Sequence, residues 1–271
     1  MRLTKIAAAA AALVLSTGVL AACSGEDKDD TGASNSSSSS ASADAAPAAE
    51  LTKDNFATEI GKAMTAAGSV HVTLTSSGSV GLEAEGDQVV GTGDDAKLSM
   101  TMSAGGQQFE MRMLDQKLYF DMGEITKNKF AVIDLTDTDD PIVKQFGGIA
   151  EQTDLSTQFE AFGDAVTKLE QEGDPVKIDG VETTPYQLTV DAKKAAAAQG
   201  QTLPSGVGDT FAYTFYLDDD HLVRRLKSEV MGQGITMDFT DWGKDVTVEK
   251  PKDSEISDVD LSELMGGAGL G

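Results

Sequence analysis

KLSMTMSAGGQQFEMRMLDQKLYFDMG, Lys97 to Gly123, is the stretch whose reading decides the fold. Leu98, Met100 and Met102 alternate with Ser99 and Thr101. Phe109, Met111 and Met113 alternate with Glu110 and Arg112, and Leu118, Phe120 and Met122 alternate with Tyr119 and Asp121. A period of two sends successive side chains to opposite faces of a strand, so these runs predict β-structure with one oily and one wet face. Gly105-Gly106 supplies the left-handed backbone that a tight hairpin needs. Three strands of this kind in a row form an antiparallel meander.

The same pattern extends outward in both directions. Val70, Val72 and Leu74 alternate with His71, Thr73 and Thr75, and Phe130 to Leu135 gives a further strand. Before them, Phe56, Ile60 and Met64 recur at four-residue spacing, predicting a helix over Asp54 to Ala67 with Thr52 as a candidate N-cap and Gly68 as its stop. After the meander the alternation ceases. Leu155, Phe159, Phe162, Val166 and Leu169 lie at helical spacing, which predicts one or two helices within Ile142 to Glu170. Strands resume at Val176 to Ile178, turn at Asp179-Gly180 and return through Tyr186, Leu188 and Val190. Asp191 is placed to cap a short helix from Lys193 to Ala198. Phe211 to Leu217, Leu222 to Met231 and Ile235 to Phe239 complete the set, with turns at Asp218-Asp219-Asp220 and Gly232 to Gly234. The fold class is therefore α+β: about ten antiparallel strands, a sheet large enough to curl into a half-barrel, with helices on its concave face. The small residues Gly81, Ala84, Gly91 and Gly93 would narrow that sheet or let it flatten.

The ends of the chain have a different character. Arg2 and Lys5 precede an apolar run from Ile6 to Val14, and small residues follow, which is the layout of a secretory signal over residues 1–22. The run is too short to span a bilayer of about 30 Å. Leu20-Ala21-Ala22-Cys23 resembles the bacterial lipobox, in which the cysteine thiol receives a diacylglycerol. Cys23 is the single cysteine among 271 residues, which excludes an intramolecular disulfide and makes it the expected lipidation site. Cys23 to Glu50 is a Ser/Ala/Asp-rich stretch without a large apolar side chain, expected as a disordered tether with a reach of about 30 Å. Leu51 to Glu249 is the expected folded domain, and residues 250–271 a loose tail.

Charge narrows the function classes. There are 21 Lys plus Arg against 45 Asp plus Glu, a net charge of −24, so no basic surplus exists to bind nucleic acid. Such a chain is repelled by anionic headgroups, and its expected membrane attachment rests on the Cys23 lipid alone. No phosphate-binding loop, C-x-x-C, H-E-x-x-H, G-x-S-x-G or S-x-x-K motif occurs, so neither catalysis nor a cofactor is expected. His71 and His221 read as solvated residues. Asp134, Asp137, Asp139 and Asp140, like Asp218 to Asp220, lack EF-hand spacing and read as turns. Arg224 and Arg225 offer ion pairs to nearby carboxylates or to an anionic headgroup. Trp242 offers an edge to the core or to a membrane interface.

Methionine is flexible and polarizable, which suits a surface that repacks around variable apolar ligands. Two readings of the oily face stand open: core beneath the helices, or the lining of a hollow the helices do not fill. On the second reading the cavity residues are Met100, Met102, Met111, Met113, Phe120, Met122, Phe159, Phe162 and Tyr213. The partner is then a lipid with an acyl chain. On the first, a packed domain engages an envelope protein.

The order of elements resembles the LppX/LprAFG family of actinobacterial lipoproteins and, more remotely, the LolA/LolB carriers. The matching features are the lipobox, the tether, the first helix, the strand opening SVHVTLTSSG, the pair KLYFDMG and KFAVIDL, the hairpin KIDGVETTPYQLTVD and the turn FYLDDDHLVRRL. They cover nearly all of Leu51 to Glu249. The resemblance implies a curved sheet closed by helices around a hydrophobic cavity. It also implies binding of a lipid or acylated glycolipid, with passage across the cell envelope.

Overall fold

In the computed structural model, residues 50–77, 81–91, 95–137, 163–198, 208–230 and 233–258 are described. Twelve strands build one open antiparallel sheet: β1 (Ser69–Ser77), β2 (Glu83–Val89), β3 (Lys97–Ala104), β4 (Gln107–Leu114), β5 (Lys117–Asp121), β6 (Phe130–Asp134), β7 (Val166–Gln171), β8 (Val176–Ile178), β9 (Val181–Asp191), β10 (Thr210–Leu217), β11 (Val223–Val230) and β12 (Gln233–Thr240). The spatial order is β6-β5-β4-β3-β2-β1-β12-β11-β10-β9-β7, with β8 also on β9. Two meanders thus meet where β1 pairs with β12, and among the described residues β6 and β7 end the sheet, β6 carrying one parallel bridge from Phe130 to Ile256.

Turn chemistry fixes the registers. Gly105-Gly106, Asp115-Gln116 and Asp179-Gly180 all hold positive φ at both central positions, the mirror-image turn that matches strand twist. At the tight β10–β11 connection Asp218 is buried. Its Oδ1 accepts from the backbone N–H of Asp220 (3.1 Å) and Leu222 (2.9 Å), and its Oδ2 accepts from Arg224 Nε at 2.7 Å.

The first helix, α1, runs from Phe56 to Ala67 and stops at left-handed Gly68, whose N–H donates to Met64 O. Its N-cap is Asn55. Thr52 instead closes the preceding turn, donating its N–H and hydroxyl to Asn55 Oδ1. Phe56, Ile60 and Met64 are buried against Val70 and Val72 of β1 and the inner residues of β9 to β12 (Leu188, Tyr213, Phe215, Leu226, Met237, Phe239). The short helix α2 (Ala192–Ala198) adds Ala195 to this core, and Asp191 Oδ1 accepts from Lys194 N–H as the sequence predicts.

One predicted helix region is corrected. Val166 and Leu169 lie on β7, not on a helix, while Leu155, Phe159 and Phe162 fall outside the described residues. The cause is a bulge: Val166 pairs with Val190 and Lys168 with Thr189, so Thr167 is an extra residue. That insertion brings residues three apart onto one face, a spacing that in sequence is indistinguishable from a helical one.

The folded part also continues beyond Glu249, where the sequence reading ends it. Residues 243–258 cross the outer face of β4 to β6 as a strap. Arg112 Nη1 donates to Glu249 O (3.0 Å), and Ser257 N–H donates to Phe130 O (2.7 Å). Val248 is buried with Leu114, Tyr119 and Phe130, flanked by Val246 and Ile256. The Arg112 guanidinium lies 4.9 Å from the centre of the Phe130 ring.

At the β5–β6 edge, Lys117 Nζ lies 2.7 Å from Asp134 Oδ2, and Thr136 donates to the other oxygen. The lysine and the threonine hold the Asp134 carboxyl down to about 2. Because this folded-state value lies below the ordinary 3.8, the carboxylate's contribution is complete above that range and is lost as pH falls toward 2. Asp134→Asn is therefore expected to lower the urea midpoint slightly at about pH 5, the difference shrinking as pH falls through about 2.

Candidate functional site

The two meanders differ in how their inner faces are covered. Registers place Leu98–Met113–Leu118–Ile133 in one cross-strand row, Met100–Met111–Phe120–Ala131 in the next, and Met102–Phe109 in a third. The first row is buried throughout. In the second, Met100, Met111 and Phe120 are only half-buried, and so are Met102, Phe109 and Met122. These rows share a face with Val72 of β1, since Val72 pairs with Gly86 and Gly86 with Met100. Yet α1 packs over β1 and β9 to β12, and among the described residues no helix belongs to the cluster of β3 to β6. That cluster is built of Ala96, Leu98, Met113, Leu118, Ala131 and Ile133, with Met100, Met111, Phe120, Met122 and Leu135 against it. The outcome is a face of thioethers and aromatic carbons on rigid strands, incompletely withdrawn from water.

Of the sequence-predicted cavity residues, Met100, Met111, Met113, Phe120 and Met122 come together here, and Met102 lies on the same face toward the end of β3. Tyr213 is placed elsewhere. It is buried beneath α1, its ring centroid 6.4 Å from that of Phe215 and 6.5 Å from that of Phe211, and burial pushes its phenol up. Phe159, Phe162 and Cys23 fall outside the described residues.

Strand β2 joins the two regions and is the part that sequence reasoning missed. Its inward positions are Ala84, Gly86 and Gln88, facing Leu74, Val72 and Val70 on one side and Met102, Met100 and Leu98 on the other. A Cβ at Gly86 would lie 2.2 Å from Ser99 O and 2.7 Å from Met100 Cα, so only glycine allows the β3 backbone this close. Gln88 is 5 % exposed, and its Nε2 has no hydrogen-bond partner.

The remaining candidates resolve into structural roles. Arg224 pairs with Asp218, and Arg225 pairs with Asp238 through two nitrogens. Trp242 stacks on Phe239 (6.2 Å between centroids) and donates Nε1–H to Val223 O at 2.9 Å. His71 Nδ1 is 2.7 Å from Asp87 Oδ1 on the outer face, and His221 sits in the β10–β11 turn with positive φ. A cleft of about 290 Å³ lies between the β8–β9 turn and the end of β12, lined by Ile178, Arg224, Trp242 and Lys244 among others. Its lysine is paired with Asp241 and its arginine with Asp218.

No protein-family model and no curated protein sequence matches the chain. Among solved structures, LprF of Mycobacterium bovis is similar at 16% identity and a TM-score of 0.51, over 73% of this chain and 96% of that one. The lipoprotein LppX of Mycobacterium tuberculosis is similar at 17% identity and a TM-score of 0.48, over 72% and 98%. A LolA superfamily protein of Nitrosomonas europaea aligns at 10% identity with a TM-score of 0.30, over 73% and 96%. The chain has an LprF-like fold, a large open sheet of antiparallel strands.

Proposed function

We propose that the protein is a lipid-anchored carrier on the extracytoplasmic face of the cell membrane. It shelters the acyl part of a lipid or acylated glycolipid against the inner face of β3 to β5. The observation that carries this reading is the half-buried row Met100–Met111–Phe120 with Met102, Phe109 and Met122 beside it. Side chains of this size contribute little to stability while half wet, and each methylene they shelter is worth about 0.8 kcal/mol. Function is then by desolvation, with no bond made or broken. The LprF-like fold supports a carrier, and the lipobox at Cys23 supports the anchor. Shuttling of cargo across the envelope goes with this reading.

A second reading, a packed interaction module that engages an envelope protein, is favoured by the other half of the sheet, where α1 buries Leu188, Phe215, Leu226 and Phe239 of β9 to β12. Native mass spectrometry of the purified full chain separates the two. Co-purifying lipid mass is expected for the carrier; a chain that emerges empty and binds no fluorescent fatty acid leaves the interaction module.

Met111→Asp distinguishes lining from core. A carboxylate in the middle row is expected to reduce fatty-acid binding more than tenfold, while the half-buried position limits the loss of stability to about 1–2 kcal/mol. A stability loss as large as that of a fully buried charge, without a selective binding defect, would assign the row to ordinary core.

A further inference from the structure

Strand β2 combines two unusual features on one face. Its inward positions Ala84 and Gly86 carry almost no side-chain volume, a lane of about 7 Å between the Val72/Leu74 and Met100/Met102 walls. At the inner end of that lane stands a carboxamide, 95% withdrawn from solvent, whose Nε2 donates to nothing. Its row neighbours Val70 and Leu98 are apolar and buried, so neither side chain can satisfy it. A buried amide without an acceptor is costly, and a strand that needed only packing at position 88 would be served by leucine or methionine. Along its own strand the next inward residue is Gly86, which has no side chain to stand between the amide and the lane.

Resting on the lipid-carrier reading, we infer that Gln88 is the polar anchor of the hollow. Its Nε2–H donates to an oxygen acceptor on an acyl ligand, such as the carbonyl of an acyl ester, while the chain lies in the lane over Gly86 and Ala84. The apolar rows supply sequence-indifferent affinity, and Gln88 supplies selection for acyl esters over ethers or plain hydrocarbon. Ester oxygens on other ligands, for example acylated sugars, present the same acceptor and are served equally.

The test uses the purified full chain and displacement of a pyrene-labelled fatty acid. The competitors are dipalmitoylglycerol, with ester carbonyls, and dihexadecylglycerol, its ether analogue. The parent is expected to bind the diester about tenfold more tightly than the diether, the scale of one buried hydrogen bond. Gln88→Leu should bring the diester down to the diether's affinity, leave the diether unchanged, and keep or raise the melting temperature. Ala84→Phe should weaken both competitors by filling the lane. A Gln88→Leu chain that keeps the ester preference, or a parent that has none, overturns the anchor while leaving the carrier intact. Failure of the parent to bind the labelled fatty acid overturns carrier and anchor together. Should the leucine variant not fold, Gln88→Met makes the same comparison. Undiminished binding by Ala84→Phe overturns the lane.

Discussion

Replacing Cys23 with Ser moves the protein from the membrane pellet to the soluble fraction; this is the largest effect expected of any single substitution. On the proposed anchor the Cys23 thiol takes the diacylglycerol, and no second cysteine can substitute for it. Among the described residues no helix is long and apolar enough to cross a membrane. Removal of residues 1–22 leaves 19 basic residues against 45 acidic ones, so an anionic surface repels the rest. Two or three acyl chains, at about 0.8 kcal/mol per buried methylene, outweigh that repulsion, whereas a hydroxyl contributes nothing. Fractionation of cells expressing each form checks this, and retention of the serine variant in the pellet would remove the anchor from the account.

Phe56→Ala is expected to be the most damaging change within the folded part, at about 3–5 kcal/mol. Phe56 has no exposed surface. Its ring meets Phe215 edge-on at 5.1 Å, and it stands at the first turn of α1, which ties β1 to β9 through β12. Truncation leaves a cavity that a sheet on one side and a single helix on the other cannot collapse to fill. Urea denaturation of parent and variant measures it. A loss below about 1 kcal/mol would mean that α1 is a peripheral cover and not the keystone of that half.

Phe56 was legible without a structure, and for a simple reason. Phe56 opens a four-residue repeat that ends at Gly68, where a left-handed residue is required. The hairpins at Gly105-Gly106 and Asp179-Gly180 were equally plain, because mirror-image turns leave their mark in composition. What escaped was structure whose signal is an absence. Strand β2 shows its inner face only Ala84, Gly86 and Gln88, so no alternation announces it, although it joins β1 to β3 within the first meander. The close approach of β2 to β3 falls at Gly86, a glycine the sequence reading did not single out, whereas a Cβ at Gly81 would meet open space. Strand β7 was hidden by its bulge, and these two account for the step from about ten strands to twelve. The methionine face was readable as a face. How far water reaches it depends on which elements pack above, and that is a property of the whole chain.

The strap over β4 to β6 has a consequence for the order in which the molecule can be completed. The rear of the first meander is sealed by residues contributed more than a hundred positions later, as in Arg112 with Glu249 and Phe130 with Ser257. A chain that emerges from its N-terminus must therefore hold Tyr119 and Phe130 without their cover until nearly all of it has been released. In that interval the first meander has a bare back and an unprotected rim, which is when a chaperone would be needed and when self-association would begin. Shortening the protein from its far end would prolong that vulnerable interval indefinitely.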